Sequence, residues 1–238
     1  MPEGGVGPTV AIIPARGGSK RIPRKNVKPF LGVPLLARTV AILTEAGIFD
    51  RIVVSTDDEE VAEVAQHAGA EVPFLRPAEL ADDYTPTVPV VADAIERLGD
   101  RDVGREVCCI YPTAVLLQAH SLVQARSILS CQDIDYVVPV ATFPSPIQRA
   151  LRIDDDGLCA MLEPENIAAR SQDLEPTYHD AGQFYWGTRE AWTAQRPIFG
   201  PRTRALVLPS TEVQDIDTED DWALAEQRYR LLQGGSAE

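Results

Sequence analysis

The sequence predicts an α/β protein built as three layers, with a doubly wound, mostly parallel sheet between helices on both faces. Three observations point to this. Short β-rich runs alternate with amphipathic helical patterns, the rhythm of right-handed βαβ units. The run at 106–111 is apolar almost throughout, as a strand covered on both sides must be. The chain has 238 residues, 45% of them hydrophobic and 24% charged, enough for one large core or one core carrying an insertion.

The elements follow in order. Residues 10–13 form a first strand that runs into a Gly-Gly turn. A helix at 35–46 is closed by Gly47, and 51–55 is a second strand. The helix at 58–68 carries acidic residues in its first turn and Gly69 just past its end, as the helix dipole and C-capping favour. An amphipathic helix at 88–98 precedes the strand at 106–111, and a helix at 120–130 leads to a strand at 136–140. Residues 143–180 break the rhythm with Pro144, Pro146, Pro164 and Pro176. Apolar and aromatic residues continue through them, so they read as an insertion of short strands or loops. Strands return at 181–186 and 205–208. The last helix covers 218–232, started by Asp217 or Thr218, with Glu219, Asp220 and Asp221 in its first turn. One domain is expected over 9–233, with 1–8 and 234–238 as flexible tails and no internal repeat.

Composition excludes several classes. No apolar run approaches the roughly 20 residues that a membrane-spanning helix needs. The formal charge of −14 argues against nucleic acid or an anionic membrane as partner. Cys108, Cys109, Cys131 and Cys159 show no CxxC spacing, so buried free thiols in a reducing cytoplasm are expected rather than disulfides or zinc.

Against that acidic background, residues 16–28 hold six of the 22 Lys and Arg residues: Arg16, Lys20, Arg21, Arg24, Lys25 and Lys28. They follow the first strand and the Gly17-Gly18-Ser19 turn. In an α/β sheet the ligand crevice lies beyond the carboxyl ends of the strands. Glycines there let backbone N–H groups approach an anion that the cations neutralise. Neither G-x-x-x-x-G-K-[ST] nor G-x-G-x-x-G can be laid on this turn, so a phosphate site of another kind is predicted. Asp215 and Asp217 stand two apart in an extended segment, which points both carboxylates to one side. Such a pair suits Mg²⁺, although Asp217 could equally be only a helix cap. Asp57, after the second strand, reads first as a cap of the next helix. A Ser/His/Asp hydrolase is unsupported, since no G-x-S-x-G elbow accompanies His179.

Taken in order, IIPARGGSKRIPRKN, IVVSTDDEE, RPAELADD, YPTA and DIDTEDDW resemble the cytidylyltransferases that activate sialic-acid-like nine-carbon acid sugars. These motifs span nearly the whole chain. Within that family CCIYPTA, PIQRAL and RSQDLEPTYHDAGQFYWG look like the branch acting on pseudaminic acid. N-acetylneuraminate enzymes typically have Gln-Pro-Thr where Tyr111-Pro112-Thr113 stands, and Asn-Gly where Ala181-Gly182 stands.

The resemblance implies a nucleotide-diphospho-sugar transferase-like fold. It implies a small insertion at about 143–180 for dimerisation and sugar binding, and hence a homodimer. The reaction it implies is CTP plus pseudaminic acid giving CMP-pseudaminic acid and pyrophosphate. The anomeric hydroxyl would attack the α-phosphate in line, with Mg²⁺ as cofactor. N-acetylneuraminate, legionaminate and Kdo are the alternative acceptors. Arg16, Lys20, Lys25 and Asp217 would be the catalytic residues. Ala15, Gly17, Gly18, Ser19, Asn26, Arg76, Thr87, Pro112 and Thr113 would join Arg16 and Lys25 around the nucleotide. Asp215 and Asp217 would ligate the metal. Arg170, Gln172, Tyr178, His179 and Gln183 would bind the sugar.

Overall fold

The computed structural model describes residues 7–131 and 133–234. Most of the expected tails therefore lies outside the described residues. Pro8 lies within them, and its carbonyl accepts the Gly104 N–H at 2.8 Å.

Strand β1 (Val10–Pro14) leads through the basic loop to a small hairpin, β2 (Pro29–Phe30) and β3 (Val33–Pro34). Helix α1 (Leu35–Ala46), β4 (Arg51–Ser55), α2 (Glu59–His67), α3 (Thr87–Leu98), β5 (Glu106–Ile110), α4 (Ala119–Cys131) and β6 (Tyr136–Thr142) complete the regular half. The insertion holds a hairpin of β7 (Leu151–Ile153) and β8 (Cys159–Met161) with several single 3₁₀ turns. Then come β9 (Tyr178–Asp180), β10 (Phe184–Thr188), α5 (Arg189–Thr193), β11 (Thr203–Val207) and α6 (Glu219–Gly234).

The main sheet runs β11-β6-β10-β5-β1-β4, with β9 also paired to β6. Five strands point one way, and β9 and β10 run against them. The sheet is thus mostly parallel, as expected. Successive residues of β1 serve opposite faces. Ala11 and Ile13 pack with Leu36, Val40 and Leu43 of α1, while Val10 and Ile12 pack with Val91 and Ile95 of α3. Helices α1, α2 and α4 cover the first face, and α3 and α5 the second. Both faces of the strand are buried, which is why its sequence is apolar without alternation.

Several boundaries differ from expectation for local reasons. Asp58 caps α2 rather than starting it: its carboxylate accepts the Val61 N–H at 2.9 Å. The strand expected at 181–186 begins only at Phe184, and the one expected at 205–208 runs Thr203–Val207. The six steps from Asp180 to Trp186 face only three steps of β6, from Val140 to Val137. The surplus at 181–183 bulges out of the ladder, and Gly182 turns it with φ 62°. The final helix begins at Glu219 with a reciprocal cap. The Thr218 hydroxyl accepts the Asp221 N–H at 3.1 Å, and the Asp221 carboxylate accepts the Thr218 N–H at 2.9 Å. Asp217 is therefore not needed as the cap. All four cysteines are free, but only Cys108 and Cys109 are buried; Cys131 and Cys159 are exposed, which corrects the expectation that all would be buried. No described helix is long and apolar enough to cross a membrane.

Candidate active site

The carboxyl ends of β1, β4 and β5 open onto a cavity of about 510 Å³. The basic loop supplies Arg16, Ser19, Lys20, Arg21, Lys25 and Asn26 to its wall, and Arg76, Thr87, Pro112 and Thr113 face them. Arg76 is buried: its guanidinium bonds to the Ser55 hydroxyl at 3.1 Å and to the Ser55 carbonyl. Burial pulls its pKa down from the usual guanidinium range, and the nearby Asp57 charge opposes that shift. The Asn26 amide donates to the Arg16 carbonyl at 2.8 Å and so shapes the loop from within. Ala15 is buried beneath it. Gly17 is tied down, because its N–H donates to Asp57 at 3.1 Å and a Cβ there would lie 2.4 Å from an Asp58 oxygen. A Cβ on Gly18 would meet nothing within 4 Å, so its backbone is open to an approaching ligand.

The Asp-Ile-Asp segment reaches this loop from the other end of the chain. Ile216 is buried with Ile22, Phe30 and Trp222, which leaves its two neighbours facing the cavities. Lys25 Nζ donates to the Ile216 carbonyl at 2.7 Å and lies 3.5 Å from Asp217 Oδ1. Arg21 pairs with Asp217 Oδ2 at 2.6 Å. Asp215 and Asp217 line a second cavity of about 280 Å³ together with Asp180, Gly182 and Tyr185. It shares Arg21, Lys25, Tyr111 and Thr113 with the first, so the two cavities adjoin. Although Asp215 is open to the cavity, surrounding protein raises its carboxyl pKa above the usual range, and the Asp217 charge raises it further. Among the described residues no three His, Cys, Asp or Glu side chains form a ready metal cage. Two hard carboxylates beside a cationic pocket suit Mg²⁺ all the same, since that ion completes its shell with water and substrate phosphates. A like-charge pair that Arg21 and Lys25 offset only in part also costs stability. Asp215→Asn should therefore raise the melting temperature of the metal-free protein by about 2 °C, an effect kept small by solvent screening. Differential scanning fluorimetry without divalent ions checks this.

Tyr111 joins the two cavities. Its hydroxyl is 2.7 Å from that of Thr87, and burial pushes its pKa up to about 12. Its ring meets Tyr185 edge to face at 5.6 Å, and the Tyr185 hydroxyl donates to Asp180. Beyond Asp215 and Asp217 a third cavity of about 660 Å³ is lined by Thr142, Phe143, His179, Gln214 and Arg228. The His179 ring packs edgewise on Phe143, with Nδ1 at 2.8 Å from the Asp180 carbonyl. Tyr178 points toward a separate shallow cavity beside Phe199. Gln183 is buried and donates to the Glu212 carbonyl, so its side chain faces none of these cavities. Arg170 and Gln172 are exposed on the insertion and line none of them either. Arg170 is 72% exposed and pairs with Asp173 at 2.7 Å. Of the residues expected at the sugar, only His179 adjoins the Asp215–Asp217 pair within one chain.

Residues 10–191 match the sequence model of a family described as cytidylyltransferase. The chain belongs to that family. Membership makes it a nucleotidyltransferase. The pseudaminic acid cytidylyltransferase of Campylobacter jejuni (strain 81-176) is 44% identical over 93% of this chain and 96% of that protein. The CMP-N,N'-diacetyllegionaminic acid synthase of Legionella pneumophila is 33% identical over 94% of this chain and 97% of its own length. Among solved structures, a CMP:2-keto-3-deoxy-manno-octonic acid synthetase complexed with CTP superposes with a TM-score of 0.67, covering 95% of this chain and 99% of the other. At 14% identity that likeness speaks for the fold alone.

In this cytidylyltransferase-family chain, sequence reasoning passed over Asp82, Asp83, Tyr111, Asp180 and Tyr185 as cavity-lining groups, and it counted Arg21 only as one more cation. Asp82 and Asp83 close the RPAELADD motif, between Arg76 and Thr87, so a signal existed. Asp57 also differs from expectation: it holds Gly17, and Asp58 is the cap.

Proposed function

We propose that the chain transfers the cytidylyl group of CTP to the anomeric hydroxyl of pseudaminic acid and releases pyrophosphate. One observation carries the reading. Lys25 and Arg21 bring Asp217 to the basic loop, joining a polyanion cavity to a carboxylate pair. The 44% identity to the Campylobacter jejuni protein supports the choice of acceptor.

In this reading Arg16, Lys20 and Lys25 neutralise the triphosphate, with the backbone at Gly17, Gly18 and Ser19 against it. Arg76, Thr87, Pro112 and Thr113 flank the nucleoside. Rate acceleration comes from positioning and from cations aimed at the charge that develops on the leaving oxygens. Asp215 and Asp217 would hold Mg²⁺, which when bound neutralises the leaving pyrophosphate. The acid sugar occupies the cavity beyond this pair, beside His179, and an arginine suits its carboxylate by bidentate pairing.

Arg170 and Gln172 take their proposed roles across a homodimer. The insertion exposes Ile147, Leu151, Ile153, Leu158, Leu162 and Ile167, each 46–73% accessible in the single chain. A surface of that kind fits a subunit interface. Exchange of this segment would carry Arg170 and Gln172 to the neighbouring site. CTP as substrate and four free thiols suit a reducing cytoplasm.

The test is pyrophosphate release from CTP and Mg²⁺ with a panel of acid sugars. Pseudaminic acid should give the highest kcat/KM. Equal or better turnover of N-acetylneuraminate or Kdo would overturn the assignment. A preference for legionaminate, the substrate class of the 33% relative, would leave the nucleotide chemistry intact and change only the acceptor.

A further inference from the structure

The proposed reaction leaves two charged groups in the polyanion cavity without a role, Asp82 and Asp83. Asp83 lines that cavity, and its carboxylate sits directly on two of the cations meant for phosphate. Arg16 Nη1 donates to Asp83 Oδ1 at 2.7 Å and to the Asp82 carbonyl at 2.7 Å, and the Lys20 ammonium pairs with Asp83 Oδ2. The turn that presents Asp83 does not depend on these contacts. Asp82 Oδ1 accepts the Tyr84 N–H at 2.9 Å, the Thr85 N–H at 2.6 Å and the Thr85 hydroxyl at 2.7 Å. Such a turn is preorganised by its own bonds. Arg16 and Lys20 are the only partners of the Asp83 carboxylate among the described residues.

The same pattern recurs around the site. The Gly17 N–H is taken by Asp57, and Arg21 and Lys25 are taken by Asp217. Arg16, Lys20, Arg21, Lys25 and the Gly17 N–H thus each already hold an internal oxygen. An incoming anion must therefore displace a carboxylate, and what it gains depends on how much more charge it brings. A single phosphate offers Arg16 and Lys20 little beyond what Asp83 gives them. A triphosphate offers several charges and many acceptors at once.

We infer that Asp83 is a competing counter-ion that holds Arg16 and Lys20 in the empty site, yields them to the triphosphate of a nucleotide and competes with pyrophosphate for them after transfer. The inference rests on the reading of the cavity as a triphosphate site. It gives the acidic turn a function at both ends of the cycle, in keeping two cations paired before substrate arrives and in product release.

The experiment uses the full chain and Asp83→Asn, which keeps the size and removes the charge, with Asp83→Glu as the rescue. Calorimetry without sugar measures affinity for CTP, pyrophosphate and orthophosphate. Asp83→Asn should bind pyrophosphate and orthophosphate about fivefold more tightly, the scale of one exposed ion pair. CTP affinity should rise by a similar factor, because CTP displaces the same carboxylate, and inhibition of turnover by pyrophosphate should strengthen. Asp83→Glu should restore the native affinities. Unchanged pyrophosphate affinity, or weaker binding of all three anions, would overturn the inference and make Asp83 a support for Arg16. A native chain that binds no CTP would instead overturn the reading of the site itself. Melting curves for each variant separate these outcomes from misfolding.

Discussion

Asp217→Asn is expected to lower kcat by about two to three orders of magnitude, because a proposed metal ligand is worth several kcal/mol of transition-state charge stabilisation. The protein should still fold. Thr218 and Asp221 cap α6 between themselves, so the helix start does not depend on Asp217. Ile216 remains buried, and the Lys25 bond goes to its backbone carbonyl, which the substitution leaves in place. Turnover at saturating Mg²⁺ is the measurement, with circular dichroism as the control for folding. Near-native activity would reduce Asp217 to a partner of Arg21 and Lys25. The affinity for CTP gives a second reading. Asp217 occupies both cations in the ligand-free state, so the amide should release them, and CTP binding without metal should not weaken.

Arg170→Ala should raise the KM for the acid sugar by about 10- to 100-fold while the KM for CTP stays within about twofold, as loss of a charge-assisted bidentate pair predicts. The geometry makes this a sharp test. In one chain Arg170 points into solvent and lines no cavity, so a solitary subunit gives it nothing to do. Mixing Arg170→Ala with Asp217→Asn then separates two arrangements. If Arg170 serves the neighbouring site, each mixed dimer contains one site with both native residues. Random pairing returns roughly a quarter of the native activity from two nearly inactive proteins. If Arg170 serves its own chain, mixing restores nothing. Equal effects on both substrates would remove Arg170 from the sugar site altogether.

The framework was legible because local chemistry agreed with the global fold. Gly47 (φ 63°) and Gly69 (φ 96°) end α1 and α2 where the sequence said the helices stop, and β4 kept its expected bounds. The return strand was misjudged at its start because a bulge leaves no periodic trace: Ala181, Gly182 and Gln183 read as strand residues. Within the site, Arg16, Lys20 and Lys25 were visible as a cluster contiguous in sequence. Their pairing with Asp83 and Asp217 was not, since those carboxylates lie 63 or more residues from the cations they hold and a long-range ion pair imposes no spacing on either segment. Gln183 was expected at the sugar from the family resemblance, yet it is buried and its amide N–H donates to the Glu212 carbonyl. Arg170 and Gln172 sit apart from the cavities of their own chain, so their expected role at the sugar rests on the proposed exchange of their segment across a dimer.

The bond from Lys25 to the Ile216 carbonyl spans 191 residues. Synthesis on the ribosome runs from the amino end, so the basic loop emerges long before its partner. Until the last segment leaves the exit tunnel, Arg21 and Lys25 lack Asp217, and Ile22 and Phe30 lack the Ile216 and Trp222 that cover them. Formation of the site thus waits on contacts between segments far apart in sequence, which favours slow folding. A prematurely terminated chain that stops short of Asp215 contains every strand of the main sheet, through β11, and lacks the whole carboxylate pair.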